Sequence, residues 1–204
     1  MLRPVRSALF SAAASLLLLA GSASALASDW EVDSSHSRVG FGIRHMMVST
    51  VHGTFDKYAG QLALDDADLA KSKVHIDIDA ASIDTGNAKR DEHLRSPDFF
   101  DVAHYPKITF DSTKVEKRGA DSLSVTGNLT IRNVTKPVVL SVSGLTGEVK
   151  DPWGGVRRGA SAQAKISRKD FGLNWNKSLD TGGVVLGDDV NIELEVELTK
   201  KAKS

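Results

Sequence analysis

From Trp30 to Lys200 the chain repeats one pattern, short segments in which alternate positions are apolar or small and the others polar. It is clearest at the C-terminal end, where Val190, Ile192, Leu194, Val196 and Leu198 alternate with Asn191, Glu193, Glu195, Glu197 and Thr199. Side chains alternate across a strand, so each such segment makes a strand with one greasy and one wet side. The pattern predicts strands over 30–33, 38–46, 50–55, 58–64, 73–79, 107–113, 122–131, 137–150, 156–168 and 190–200. Between them, Asp56-Lys57 reads as a hairpin turn, 132–136 and 151–155 as turns, and 65–71 as a loop or single helical turn. When nearly every segment has one apolar face, the sheet must hide that whole face. Closing on itself does so without a partner layer. The fold expected is all-β, a closed antiparallel barrel of about eight strands.

Residues 87–105 break the alternation. Asn87 to Leu94 is rich in helix formers, and Ser96-Pro97 reads as an N-cap with Pro at the first helical position, opening a second short helix through Phe99-Phe100. This insertion is longer than a hairpin needs. Its two phenylalanines lack a strand partner, so it is expected to pack on the barrel as a cap or plug.

The apolar phase contains many small residues. Gly53, Gly60 and Gly127 fall among inward positions, and Ala160, Ala162 and Ala164 share one phase ahead of Ile166. Small inward residues leave a cavity where large ones would fill the barrel. Glycines also mark bends and bulges, but three alanines in phase have no such role, and together they favour a hollow apolar interior. The expected lumen wall comprises Val39, Phe41, Ile43, His45, Phe55, Ile76, Ile78, Phe110, Leu129, Ile131, Leu140, Ala160, Ala162, Ala164, Phe171 and Trp175, with Phe99 and Phe100 contributed by the insertion.

The first residues change the picture of where the protein works. Arg3 and Arg6 precede an apolar run from Ala8 to Ala20, and Ala23-Ser-Ala25 or Ala25-Leu-Ala27 offers small residues for cleavage. This is the pattern of a secretory signal peptide, too short to span a bilayer. The expected organisation is a removed signal over 1–27 and a single domain over 28–204. The domain is expected to be exported, free of stable membrane insertion, and periplasmic. The chain has no cysteine, hence no lipid attachment through one, and its length can hold a core without disulfides. Removing Arg3 and Arg6 lowers the basic residues from 26 to 24 against 26 acidic ones. No basic field of the kind nucleic acid requires results.

Candidate chemistry is thin. There is no GxSxG, P-loop, GxGxxG or HExxH motif. His45 falls in the inward phase and His52 in the outward one, while His93 and His104 flank the insertion without ligand spacing, so no metal or cofactor is expected. Asp91, Glu92, His93 and Asp101 form the one dense titratable group, which reads first as surface charge.

Several blocks resemble the YceI-like family. Trp30-Glu-Val-Asp33-Ser-Ser-His36-Ser37-Arg-Val39-Gly-Phe41 opens the resemblance, followed by Val51-His-Gly53-Thr-Phe55. The most specific block is Asp91-Glu-His93-Leu94-Arg-Ser96-Pro-Asp98-Phe99-Phe100-Asp101 with Tyr105-Pro106-Lys-Ile108-Thr-Phe110. Ile166-Ser-Arg168-Lys-Asp170-Phe171-Gly172 ends it. The resemblance implies a lipocalin-like, eight-stranded barrel that binds a polyisoprenoid, an isoprenoid quinone or another long-chain amphiphile, in proteins that are typically periplasmic. The expected function is therefore a binding protein for such a chain and not an enzyme. Two alternatives stand beside it: a lipid-modifying enzyme at the barrel mouth using His93, Asp91 or His45, and a packed structural envelope protein. The sequence leaves a homodimer open.

Overall fold

A computed structural model describes residues 27–180 and 182–201. The signal read at the N-terminus lies, but for Ala27, outside the described residues.

The strands are β1 (Ser28–Val32), β2 (Arg38–His45), β3 (Ser49–Phe55), β4 (Tyr58–Leu64), β5 (Lys73–Asp79), β6 (Ile83–Asp84), β7 (Lys107–Lys117), β8 (Leu123–Ile131), β9 (Val134–Ser143), β10 (Val149–Lys150), β11 (Val156–Ser167) and β12 (Leu186–Lys200), with one helix, α1 (Ala88–Arg95). Eight of them close an antiparallel barrel in the order β11-β9-β8-β7-β5-β4-β1-β12, with β11 pairing β12 to complete the ring. The strand β12 explains how the ring is built. One of its edges pairs with β11 from Ser167↔Asp189 to Arg157↔Thr199. The other edge pairs first with β2, through Leu194↔Val39 and Ile192↔Phe41, and then with β1, through Leu198↔Val32. Hence β1 and β2 are two lengths of one stave, and the same logic joins β3 to β4 and β5 to β6.

This corrects the hairpin expected at Asp56-Lys57. Both β3 and β4 run antiparallel to a stave of fixed direction, so the chain continues forward through a kink there. The kink is stitched to the matching one at 79–82: Asp79 N donates to Lys57 O at 2.9 Å, Asp56 N to Ser82 O at 3.1 Å and Lys57 N to Ser82 Oγ at 3.0 Å. Two polar residues between two alternating runs look alike whether the chain reverses or bends.

Below the kinks all eight staves are paired; above them β6 is a free edge. Also above them, β9 and β11 part company, sharing only Ser141–Ser143 and Ser161–Gln163. Two insertions fill these gaps. The first is α1 with the turn after it, which Arg95 ties to the kink by donating to Ala81 O at 2.7 Å and Ile83 O at 2.6 Å. Asn87 caps α1, accepting from Arg90 N. Ser96 ends α1 instead of starting another helix, and Phe99 and Phe100 lie in a turn in which Phe99 N donates to Ser96 O. The second insertion is a 3-10 turn at Arg168–Phe171 and the segment after it.

The apolar phase points in, as alternation requires. A large cluster including Phe55, Ile83, Phe99, Ile108, Phe110 and Phe171 fills the upper and middle barrel, and Trp30, Leu64 and Leu198 form a smaller one at the closed end. The outward phase of β12 is polar, the reverse of a barrel that faces lipid on its outside. Among the described residues no helix is long and apolar enough to cross a membrane.

Candidate functional site: a two-chambered apolar lumen

The inward glycines do not hollow the barrel. A Cβ built on Gly53 would lie 2.5 Å from Phe41 Cζ, and one on Gly60 would lie 2.5 Å from both Ile76 Cδ1 and Val32 Cγ2. At Gly127 it would collide with the Phe110 ring and lie 2.7 Å from Asp111 O. Each glycine is a seat for a large side chain from a neighbouring strand. Phe41 is the direct cross-strand partner of Gly53, and Ile76 of Gly60. The space that remains comes from the staves diverging above the kinks and from the alanines of β11.

That space has two chambers. The upper, of about 400 Å³, is lined by residues of β2, β3, α1, the Phe99-Phe100 turn and the Leu173–Trp175 segment. The lower, of about 180 Å³, is walled by Ile76, Phe110, Leu140, Ala160 and Ala162 among others. Val39, Ile78, Leu129 and Ile192 line both, so the chambers adjoin across these four side chains. Of the residues expected in the wall, Phe41, Ile43, His45, Phe55, Phe99, Phe100, Ile131 and Trp175 line the upper chamber. Ala164 and Phe171 do not line either: both belong to the packed core around them. Phe171 is pulled out of the wall because the strand ends at Ser167 and curls into its 3-10 turn.

The upper chamber closes on an aromatic cluster. The His93 ring meets Phe99 edge-on at 5.1 Å and Trp175 at 4.9 Å, and Phe99 and Trp175 lie 5.3 Å apart. Phe100 packs edge-on against Phe55 at 5.7 Å. Such offset and edge contacts add to plain burial. The segment carrying Trp175 is held by Arg168, which alternation could not reveal. Its guanidinium is buried and donates to Gly187 O at 2.8 Å, to Leu173 O at 2.5 Å, to Trp175 O at 2.9 Å and to Asp188 Oδ1 at 3.2 Å. Burial lowers its pKa from the ordinary arginine value, while Asp188 works in the opposite direction. In the sequence its trace is a charged residue closing an apolar run, Ile166-Ser-Arg168, within the last family block.

The titratable group expected near the mouth does not assemble into a catalytic set. Asp91 is buried and accepts from Thr85 N at 2.9 Å and Thr85 Oγ1 at 2.5 Å. His93 instead pairs with Asp98, at 2.9 Å. His45 lines the chamber and His52 is exposed on the outer face. Every ionisable residue lining the upper chamber is basic: His45, Lys89, Arg90, His93 and Arg168. Lys89 and Arg90 leave no pattern in the sequence because α1, apart from Ala88 and Leu94, is polar.

A second cluster of charge sits at the closed end. Arg157 Nη1 lies 2.6 Å from both Asp33 and Glu197, and its Nε lies 2.9 Å from Asp151. His36 joins Asp33 at 3.0 Å. The hydrogen bonds from His36 and Arg157 hold the Asp33 carboxyl well below the usual carboxylate range, and the bond to Asp33 raises the His36 pKa. Asp33, His36 and Glu197 are close enough to share a cation, but the guanidinium already bridges the two carboxylates.

The YceI-like domain matches residues 30–198 of this chain. The chain belongs to the YceI-like family. Protein YceI of Escherichia coli is 46% identical over 162 residues, covering 78% of this chain and 83% of its own. Among YceI-like structures, the crystal structure of the Campylobacter jejuni YceI protein superposes with a TM-score of 0.67 at 37% identity, covering 83% of this chain and 96% of that one. A domain from Saccharophagus degradans described as polyisoprenoid-binding superposes with a TM-score of 0.62 at 18% identity, covering 86% and 99%. At that identity the last likeness speaks for the fold.

Proposed function

We propose that the protein is an exported, periplasmic carrier or sequestering protein that holds a long isoprenoid chain, or a similar amphiphile such as an isoprenoid quinone, along the barrel axis. The observation that carries this reading is a pair of apolar chambers inside the barrel that adjoin at Val39, Ile78, Leu129 and Ile192. The upper chamber alone falls within the ~300–1,000 Å³ range of small-molecule pockets. The polyisoprenoid-binding description of the Saccharophagus relative agrees with it. Each buried methylene contributes ~0.8 kcal/mol, so some twenty carbons supply more than association costs without any headgroup contact. An apolar tube discriminates poorly, since one methylene more or less changes affinity only ~10–200-fold. The protein is therefore a length-tolerant binder.

Organic extraction of the purified protein followed by mass spectrometry tests this: a co-purifying long-chain lipid is expected. Ala162→Trp, placed in the wall of the lower chamber, should shorten the chains retained while leaving the protein folded. Extracts free of lipid, together with a melting temperature unmoved by added isoprenoids, would overturn the carrier reading in favour of a packed structural barrel.

A further inference from the structure

The rim of the upper chamber carries a feature that lipid storage does not call for. β2 and β3 are joined by Met46-Met47-Val48, whose exposures are 42%, 58% and 77%. Val48 N donates to His45 O at 3.0 Å, closing a turn whose two central residues, Met46 and Met47, have φ of 49° and 60°. Asn-Gly or Asp-Gly fills such a turn most readily, and a non-glycine side chain is strained there. This chain instead holds two methionines in the left-handed region and turns three consecutive apolar side chains to water. Arg44 supports the arrangement, donating to Met47 O at 2.7 Å and Thr50 Oγ1 at 3.2 Å. Beside the tip, Met46 N donates to Val185 O at 2.7 Å, and the neighbouring Val184 is 37% exposed. The residues flanking the tip, His45, Val51, Val185 and Leu186, are wall residues of the upper chamber. The exposed apolar tip is thus continuous with the lumen.

Charge supplies the second observation. The ionisable residues of the chamber wall are all basic. Arg168 spends its charge on Asp188, and His93 pairs with Asp98. Lys89 has no ion pair among the described residues, and Arg90 donates only to Thr85. An apolar tip and free cations on the wall of one chamber fit a surface that is apolar below and anionic above. We propose that the open rim docks on an anionic lipid bilayer, with Met46, Met47 and Val48 entering the headgroup boundary and Lys89 and Arg90 facing lipid phosphates. The mouth of the lumen is then held against the membrane.

The test uses purified protein and vesicles of phosphatidylethanolamine with 30% phosphatidylglycerol, a composition we choose to supply the anionic surface (~30%), read by co-sedimentation. Met46→Asn with Met47→Gly places the favoured residues in the turn, so thermal stability should hold or rise while vesicle binding falls at least ~tenfold. Lys89→Gln should weaken binding at low salt and leave little difference at high salt. Trp153→Ser changes an exposed aromatic at the closed end, 86% exposed, and should leave binding unchanged. The proposal fails if the wild type does not sediment with vesicles at low salt, if the double variant binds as well as the wild type, or if Trp153→Ser alone abolishes binding. It also fails if sedimentation velocity shows a dimer that the double variant dissolves while vesicle binding is absent, because the tip then meets a second copy. Docking is read on protein delipidated beforehand and refolded, so this outcome and that of lipid extraction are independent.

Discussion

Gly53→Ala gives opposite signs for a hollow barrel and for the packing described above. A glycine facing open space in a strand is less favourable than alanine by ~0.5–1 kcal/mol, so the substitution would then stabilise the protein. In the structure the added methyl would meet Phe41 Cζ at 2.5 Å, Phe41 Cε1 at 2.8 Å and Thr85 Cγ2 at 2.9 Å. The ring must leave its seat and swing into the upper chamber, whose wall it forms. Overpacking of this kind costs ~1–3 kcal/mol. Set against the backbone gain, a net loss of about 1 kcal/mol is expected, a fall of ~2–4 °C in melting temperature for a domain of this size. In a Phe41→Leu background the seat is partly vacated, and Gly53→Ala should turn neutral or stabilising. The coupling between the two sites should therefore be about 1–2 kcal/mol, within the range for contacting residues. Urea denaturation of the four proteins of the cycle measures it. Gly127→Ala is the contrasting case, because its methyl also approaches Asp111 O, a backbone atom, at 2.7 Å; Phe110→Leu should rescue it less. A stabilised Gly53→Ala single variant, or zero coupling, would refute the seat.

Other expectations follow from the same structure. Phe99→Ala, which removes a buried ring lying against His93 and Trp175, should cost ~3–5 kcal/mol, whereas the half-buried Phe100→Ala should cost less and chiefly speed release of a fluorescent isoprenoid analogue; equal losses with unchanged release would show that the turn does not gate the lumen. Arg168→Met leaves the carbonyls of Leu173, Trp175 and Gly187 without their donor and should cost ~3–5 kcal/mol, as for other broken buried charge networks, with hydrogen exchange rising first in 172–177. His36 has a raised pKa in the fold, so its contribution is complete below ~6.5 and is lost as pH rises through the raised value; melting curves from pH 5 to 9 should show this decline in the wild type and a flatter profile in His36→Gln. Asp33 and Asp151 are lowered, so their contributions are present above the ordinary carboxylate range and fade only as pH falls through the lowered values.

Alternation was enough to find the barrel because it records which face of each strand is buried, and a ring hides one face throughout. It failed where the ladder is irregular. The bulge between Ser112 and Lys114 shifts the inward phase from Phe110 to Val115, so β7 reads as ending at Thr113 when it continues to Lys117. The irregularity between Leu186 and Val190 keeps the inward phase but puts the polar stretch Gly187-Asp188-Asp189 between them, and this hides the start of β12. Of the positions expected in the lumen wall, all but Ala164 and Phe171 line one of the two chambers, but the inward glycines do not make the space. Pattern shows that Gly53 and Phe41 point the same way but not that one lies on the other. Lys89, Arg90 and Arg168 lie outside the strands, on α1 and at the start of a 3-10 turn, where a period of two does not tell inside from outside. Met46-Met47-Val48 left a visible trace, an apolar run with no turn former between two strands.

The position of β12 has a consequence for how the chain acquires its fold. It is the last strand, and it pairs with β1, β2 and β11. No ring exists until residues 186–200 reach the first strand, with Trp30 meeting Lys200 from the opposite end of the barrel sequence. Contacts this distant along the chain make folding slow. A nascent chain emerging in order therefore completes its hairpins, including β7-β8-β9, long before it can close, and a chain stopped short of Leu186 has no closed state at all. The two ends of the barrel also lie side by side, since Lys201 N donates to Asp29 O at 2.9 Å. Joining them and reopening the chain before β11 would make the β11–β12–β1 contacts local, and such a permutant should fold faster than the natural order without any change in its final pairing.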